Sequence, residues 1–274
     1  MKITKDKLEA LYRKYNKREY VSPDPLQFVY DYDNSCDKEI VGLIASSLAY
    51  GRVQQILNSI SIVLERINSP VRFIINSSND EFFRIFADFK HRFTVGREIA
   101  ELLLGIKRII KEYGSLKKCF SEGMKETNDI VCAQKRFISE LSAEFSHKRS
   151  SLLPMPESKS ANKRLNLFLR WMIRDDEVDL GIWKNVSPER LIVPLDTHMH
   201  TISLTLGLTH RKQADMNTAL EITESFRKIC PEDPVRYDFV LTRFGIRDDM
   251  SIGSVSECRR RNKGEEVKCL LEAI

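Results

Sequence analysis

The sequence predicts an all-α protein, and three observations predict it. Apolar residues recur at i, i+3, i+4 and i+7 through most of the chain. Asp-Pro pairs and glycines punctuate those stretches where helices start and stop. Strict alternation of apolar and polar residues, the mark of a half-buried strand, is almost absent.

The first signal is "DPLQFVYDY", where Asp24 is placed to cap a helix and Pro25 to occupy its first position. In "DKEIVGLIASSLAYGRVQQILNSISIVLERINSP", Ile40, Leu43, Ile44 and Ser47 keep the spacing of one helix. Val53, Ile56, Leu57, Ile60, Leu64 and Ile67 keep it again after "AYGR", so Gly51 marks the turn and Pro70 closes the second helix. "GREIAELLLGIKRIIKEYGS" is a third amphipathic helix, ending near Gly114. Ser146 to Arg164 is polar, basic and proline-bearing, which predicts a surface loop. "RLNLFLRWMIR", "LIVPLDTHMHTISLTLGL", "MNTALEITESFRKICP" and "DPVRYDFVLTRFGI" follow, the last with an Asp-Pro start at Asp233 and Pro234. The total is some ten helices, without an internal repeat.

The 274 residues suffice for one large domain or two small ones, and 42% hydrophobic with 30% charged is ordinary for a globular chain. Lysine and arginine number 44 against 39 acidic residues, an excess that permits nucleic-acid binding without requiring it. The six cysteines are scattered and form no CxxC pair, which argues against a disulfide framework or structural zinc. The N-terminus has no apolar core of a signal peptide, and no stretch approaches the roughly 18 apolar residues of a membrane span. These features predict a cytoplasmic protein with reduced thiols and no membrane partner.

Two segments carry candidate chemistry. In "SKSANKRLNLFLRWMIRDD", Leu165, Phe168, Leu169 and Met172 make an apolar stripe. Lys163, Asn166, Arg170 and Arg174 fall on another face, a solvated basic face on the simplest reading. Ser158 or Ser160 as cap places Lys163 in the first turn, where the helix dipole opposes its charge. Desolvation there favours the free amine, the nucleophilic form, although the position also suits an ordinary surface lysine. Lys159 competes for any such role.

In "PLDTHMHTISLTLGL" a helix starts at Asp196 or Thr197, turns Met199, Ile202 and Leu206 inward, and stops at Gly207. An aspartate before an apolar helix is most often a cap. Asp196, His198 and His200 are also possible metal ligands, but histidines at i and i+2 on a helix point to different faces.

The same segment resembles the "VDTHV-x-R-x-x-x-R-L-G-L" segment of the helix-hairpin-helix DNA glycosylases, the endonuclease III superfamily. "PLQFVYDYDNSCDKEIVGLIASSLAYGRVQQI" is similar in pattern to that superfamily's early segment, whose glutamine lies near the DNA, and "DPVRYDFVLTRFGI" resembles its late helix. "KRLNLFLRWMIRDDEVDLGIW" with "PLDTH" also looks like an uncharacterised bacterial and archaeal group related to the superfamily. Two departures stand out. The "L-P-G-V-G-x-K-T-A" hairpin is replaced by "IRDDEVDLGIWKN", and Cys258 and Cys269 lack the partners of an iron–sulfur motif. The archaeal 8-oxoguanine glycosylases place their lysine further upstream, and Lys163 precedes Asp196 by thirty-three residues.

The resemblance implies a single all-α domain over 1–274, with lobes of roughly 30–145 and 160–250, terminal extensions and a site between the lobes. It implies a monomeric glycosylase and abasic-site lyase that excises an oxidised base, 8-oxoguanine first, from duplex DNA. Lys163 is then the Schiff-base nucleophile and Asp196 the assisting carboxylate, with no metal or other cofactor. Arg52, Gln54, Gln55, Arg170, Arg174, Lys184 and His198 become DNA contacts, and Trp171 and Trp183 the stacking faces of a base pocket. Two rivals remain: a binding protein of the same fold without working chemistry, and a metal-dependent hydrolase built on Asp196, His198, His200 and His91.

Overall fold

The computed structural model describes residues 4–146, 150–153 and 160–243. Among these the regular elements are helices, apart from one two-stranded ladder and two isolated bridges, so the all-α class read from the periodicity is the observed one. The chain divides into two compact units: Val21–Ser158 with Gly181–Val186, and Met1–Tyr20, Lys159–Leu180 and Ser187–Ile274. No helix among the described residues is long and apolar enough to cross a membrane.

In order, α1 spans Lys5–Tyr15, α2 Ser35–Ser47, α3 Val53–Ile67, α4 Pro70–Asn76 and α5 Asn79–Ile85. The strands β1 (Lys90–His91) and β2 (Thr94–Val95) form an antiparallel hairpin before α6 (Gly96–Tyr113), α7 (Leu116–Thr127) and α8 (Ile130–Leu141). Then come α9 (Lys163–Ile173), α10 (Thr197–Thr205), α11 (Met216–Arg227) and α12 (Asp238–Arg243).

In the unit formed by Val21–Ser158 with Gly181–Val186, α2 is buried from Glu39 to Ser47 and forms its centre. Asp24 does cap at Pro25, accepting from the Leu26 amide at 2.9 Å, but the element it starts is a 3₁₀ helix, Pro25–Asp31. Gly51 has φ +101°, a left-handed conformation that suits glycine, and it turns the chain from α2 into α3. Gly114 at φ +85° ends α6 in the same way. Trp183 is fully buried against Phe120, with ring centroids 5.6 Å apart. Its Nε1 donates to Glu39 Oε1 at 3.0 Å, while Glu39 Oε2 accepts from the amides of Leu116 (2.9 Å) and Lys117 (3.3 Å) at the start of α7.

In the other unit, α9 is buried from Leu165 to Ile173. Leu191, Ile192, Val193 and Leu195 form the buried extended lead-in to α10, which is capped by Asp196; α11 is capped by Asp215. Met199, Ile202 and Leu206 point inward and Gly207 stops the helix at φ +69°. The last helix starts later than its Asp-Pro signal predicts: residues 234–237 make a turn, and α12 begins at Asp238. Asp233 does not act as a helix cap there because Arg174 Nε takes its carboxylate, at 2.9 Å.

Candidate functional site

Lys163 is the first residue of α9 and Asp196 is the cap of α10. The cap of α9 is Asn162, at φ +49°, and not one of the serines; no side chain caps the helix. The segment is held instead by Asn166 Nδ2, which donates to the Ala161 carbonyl at 3.0 Å, and by a bridge between Ser160 and Asp215. Ser158 and Lys159 lie outside the described residues.

Asp196 divides its carboxylate between two tasks. Oδ1 accepts from the Met199 amide at 2.9 Å, and Oδ2 lies 3.7 Å from Lys163 Nζ. The two side chains are 31% and 29% exposed, so the pair is neither buried nor fully solvated. A contact of that length between half-open groups contributes little to stability, about 1 kcal/mol or less. It does leave the carboxylate placed to face a positive charge that develops beside it.

A buried ionic chain lies behind this pair. Arg170 donates through Nε to Asp179 Oδ1 at 3.2 Å and through Nη1 to Asp238 Oδ2. Arg174 bonds Asp179, Asp176 and Asp233, and Asp176 in turn accepts from Tyr12 at 2.8 Å. Burial pushes the Asp179 carboxyl up to about 6, against the pull of both guanidinium groups. Burial also raises the Asp238 carboxyl; Arg170 and Lys163 oppose the rise and Asp196 adds to it. Asp238 therefore feels both members of the pair, and its Oδ1 is buried without a hydrogen bond among the described residues.

These ionic contacts overturn the solvated basic face expected of α9. Asn166, Arg170 and Arg174 are buried, and the two arginines are consumed by carboxylates, which leaves neither available to a phosphate. Trp171 and Trp183 are fully buried core side chains rather than open stacking faces. Trp171 Nε1 makes no hydrogen bond among the described residues. Arg52, Gln54, Gln55 and Lys184 are exposed, all in the unit with Val21–Ser158, and Gln54 bonds Asn58 at 2.9 Å. His198 is half-buried in the first turn of α10.

The metal alternative loses two ligands to protein partners. His91 is buried with Nδ1 on Ser59 Oγ at 2.8 Å and Nε2 on the Tyr50 carbonyl at 3.0 Å, and His200 Nε2 meets the Arg211 carbonyl at 2.8 Å. Among the described residues no group of three His, Cys, Asp or Glu gathers at metal-binding distance. Sequence reasoning missed Asp179 and Asp238, whose pairing across 9 and 68 residues leaves no spacing signal.

A family model described as "Protein of unknown function (DUF2400)" matches residues 24–247, and the chain belongs to that family. No curated protein and no solved structure matches the chain.

Proposed function

We propose that this member of the DUF2400 family is a DNA base-excision glycosylase with abasic-site lyase activity, acting on an oxidised base, with 8-oxoguanine the preferred lesion. The observation that carries the reading is the half-open contact of Lys163 Nζ with Asp196 Oδ2 at 3.7 Å. The resemblance of "PLDTH" to the glycosylase aspartate segment supplies the reaction class.

In this reading a damaged base leaves the stack, at a cost of a few kcal/mol, and exposes C1′ of its deoxyribose. The neutral amine of Lys163 adds to C1′ as the glycosidic C–N bond breaks, and the base leaves with that electron pair; the new ammonium gives up a proton, which Asp196 passes to the departing base. Opening of the sugar ring, with O4′ taking up a proton, gives a protonated imine; loss of a C2′ proton to water then forms the C2′–C3′ double bond as the C3′–O bond breaks and the phosphate leaves on the 3′ side of the lesion. The Asp196 carboxylate also faces the positive charge that develops on the sugar. Arg170 and Arg174 are committed to Asp179, Asp233 and Asp238 and supply no phosphate contact in this reading.

A second reading has its own observation. Asp196 already caps α10 and pairs with Lys163, two roles a non-catalytic nucleic-acid-binding protein would also use. Strand cleavage of duplexes carrying one 8-oxoguanine or one abasic site, in EDTA, separates the two. Cleavage lost in Lys163→Gln supports the enzyme. Binding without cleavage by the unaltered protein supports the binder.

A further inference from the structure

The β1–β2 hairpin turns through Arg92 and Phe93, and Phe93 is 75% exposed, the most exposed of the large apolar side chains among the described residues. An aromatic ring in that position is held in water at a cost, and its surroundings are specific. Arg92 sits at φ +52°, where a side chain is rarely found, and its guanidinium lies 5.4 Å from the Phe93 ring centre and 6.0 Å from that of Tyr50. Gly51 makes room for it: a Cβ there would stand 2.7 Å from Arg92 Cδ. Arg52, Lys90 and Arg97 are the exposed cations that adjoin Gly51 and the two strands in sequence.

None of these four cations takes part in an ion pair among the described residues. The nearby carboxylates are already engaged. Asp88 is bound by Arg66, and Glu98 accepts from the Val95 amide and from Ser150 and Ser151. Val95, 41% exposed, is the one other apolar side chain the hairpin shows to solvent, too little area for a stable protein interface. A lone aromatic ring among unmatched cations fits a polyanion that carries flat rings of its own.

We propose that this hairpin is a nucleic-acid contact in which Phe93 stacks on an unpaired base while Arg92, Arg52, Lys90 and Arg97 meet the adjoining phosphates. Bases inside a duplex are covered on both faces by their neighbours, so a ring at a hairpin tip finds a free face on an unpaired base. Stacking of this kind is tolerant of sequence, and the cations supply affinity that falls with salt. The inference rests on the nucleic-acid part of the reading above and not on its chemistry.

The test is fluorescence anisotropy of the full chain with a short labelled single strand and with the same strand fully paired. Phe93→Ala is expected to weaken single-strand binding about tenfold or more, with Phe93→Trp near wild type and a smaller effect on the duplex. Arg92→Gln is expected to lower the slope of log affinity against log salt by about 0.7 for each phosphate that the variant no longer neutralises. Equal single-strand affinity for Phe93→Ala and the unaltered chain overturns the proposal while leaving a trapped lysine adduct intact. Single-strand binding that needs Phe93 but yields no lysine adduct keeps the proposal and removes the lyase. A Phe93-dependent affinity for phosphatidylserine vesicles, with none for either oligonucleotide, overturns it in favour of a membrane surface.

Discussion

Lys163 and Asp196 stand thirty-three residues apart in sequence, yet their Nζ and Oδ2 atoms lie 3.7 Å apart at the starts of two helices. The cap and charge roles of Asp196 can be separated. Asparagine caps as well as aspartate, so Asp196→Asn is expected to unfold at nearly the wild-type denaturant midpoint and to lose strand cleavage. Asp196→Ala is expected to lose about 1 kcal/mol of stability as well. Chemical denaturation and cleavage assays on both variants check this.

The buried chain through Arg170 predicts a large stability effect. Arg170→Ala leaves Asp179 and Asp238 buried without the cation between them, and is expected to cost about 3–5 kcal/mol in urea denaturation. Arg170→Met with Asp238→Asn removes much of the stranded charge and is expected to recover part of that loss. No recovery would contradict the assignment of the cost to unpaired charge.

Gly105 predicts a steric effect in α6. A Cβ there would lie 1.9 Å from the Leu141 carbonyl oxygen, a backbone atom that moves only with α8. Gly105→Ala is expected to destabilise by about 1–3 kcal/mol or more, although alanine is the better helix former. A stabilised variant would show that the two helices do not approach so closely.

The 3.6-residue period discloses α3, α6 and α9, and the start and stop of α10 follow from Asp196 and Gly207. The polar stripe on α9 is equally visible, but period alone does not say whether such a stripe meets water or other side chains. Its partners, Asp179, Asp233 and Asp238, lie 5 to 68 residues away, so burial of Arg170 and Arg174 depends on tertiary pairing. Trp171 and Trp183 are ambiguous for the same reason: indole suits both a core and a stacking face. The late helix starts away from its Asp-Pro signal because Arg174 holds Asp233, the residue expected to cap it.

Glu9 predicts a pH effect. Burial works to raise its carboxyl, but bonds from Arg236 at 2.9 Å and Tyr237 at 2.6 Å outweigh that and hold it below the ordinary 4.5. A lowered folded value means the stabilisation is present above pH 4.5 and is lost as pH falls through the folded value. Glu9→Gln is expected to cost about 1 kcal/mol at pH 7 and to converge with wild type under acid. Thermal unfolding across pH 3–7 checks the convergence, and a constant difference would contradict it.

Borohydride trapping decides whether Lys163 forms a Schiff base with DNA. The purified chain is incubated with a duplex carrying one 8-oxoguanine or one abasic site, sodium borohydride is added, and covalent adducts are read on a denaturing gel. An adduct is expected that Lys163→Gln abolishes and Lys159→Gln retains. An adduct that survives Lys163→Gln, or no adduct on either duplex despite measurable binding, would contradict it.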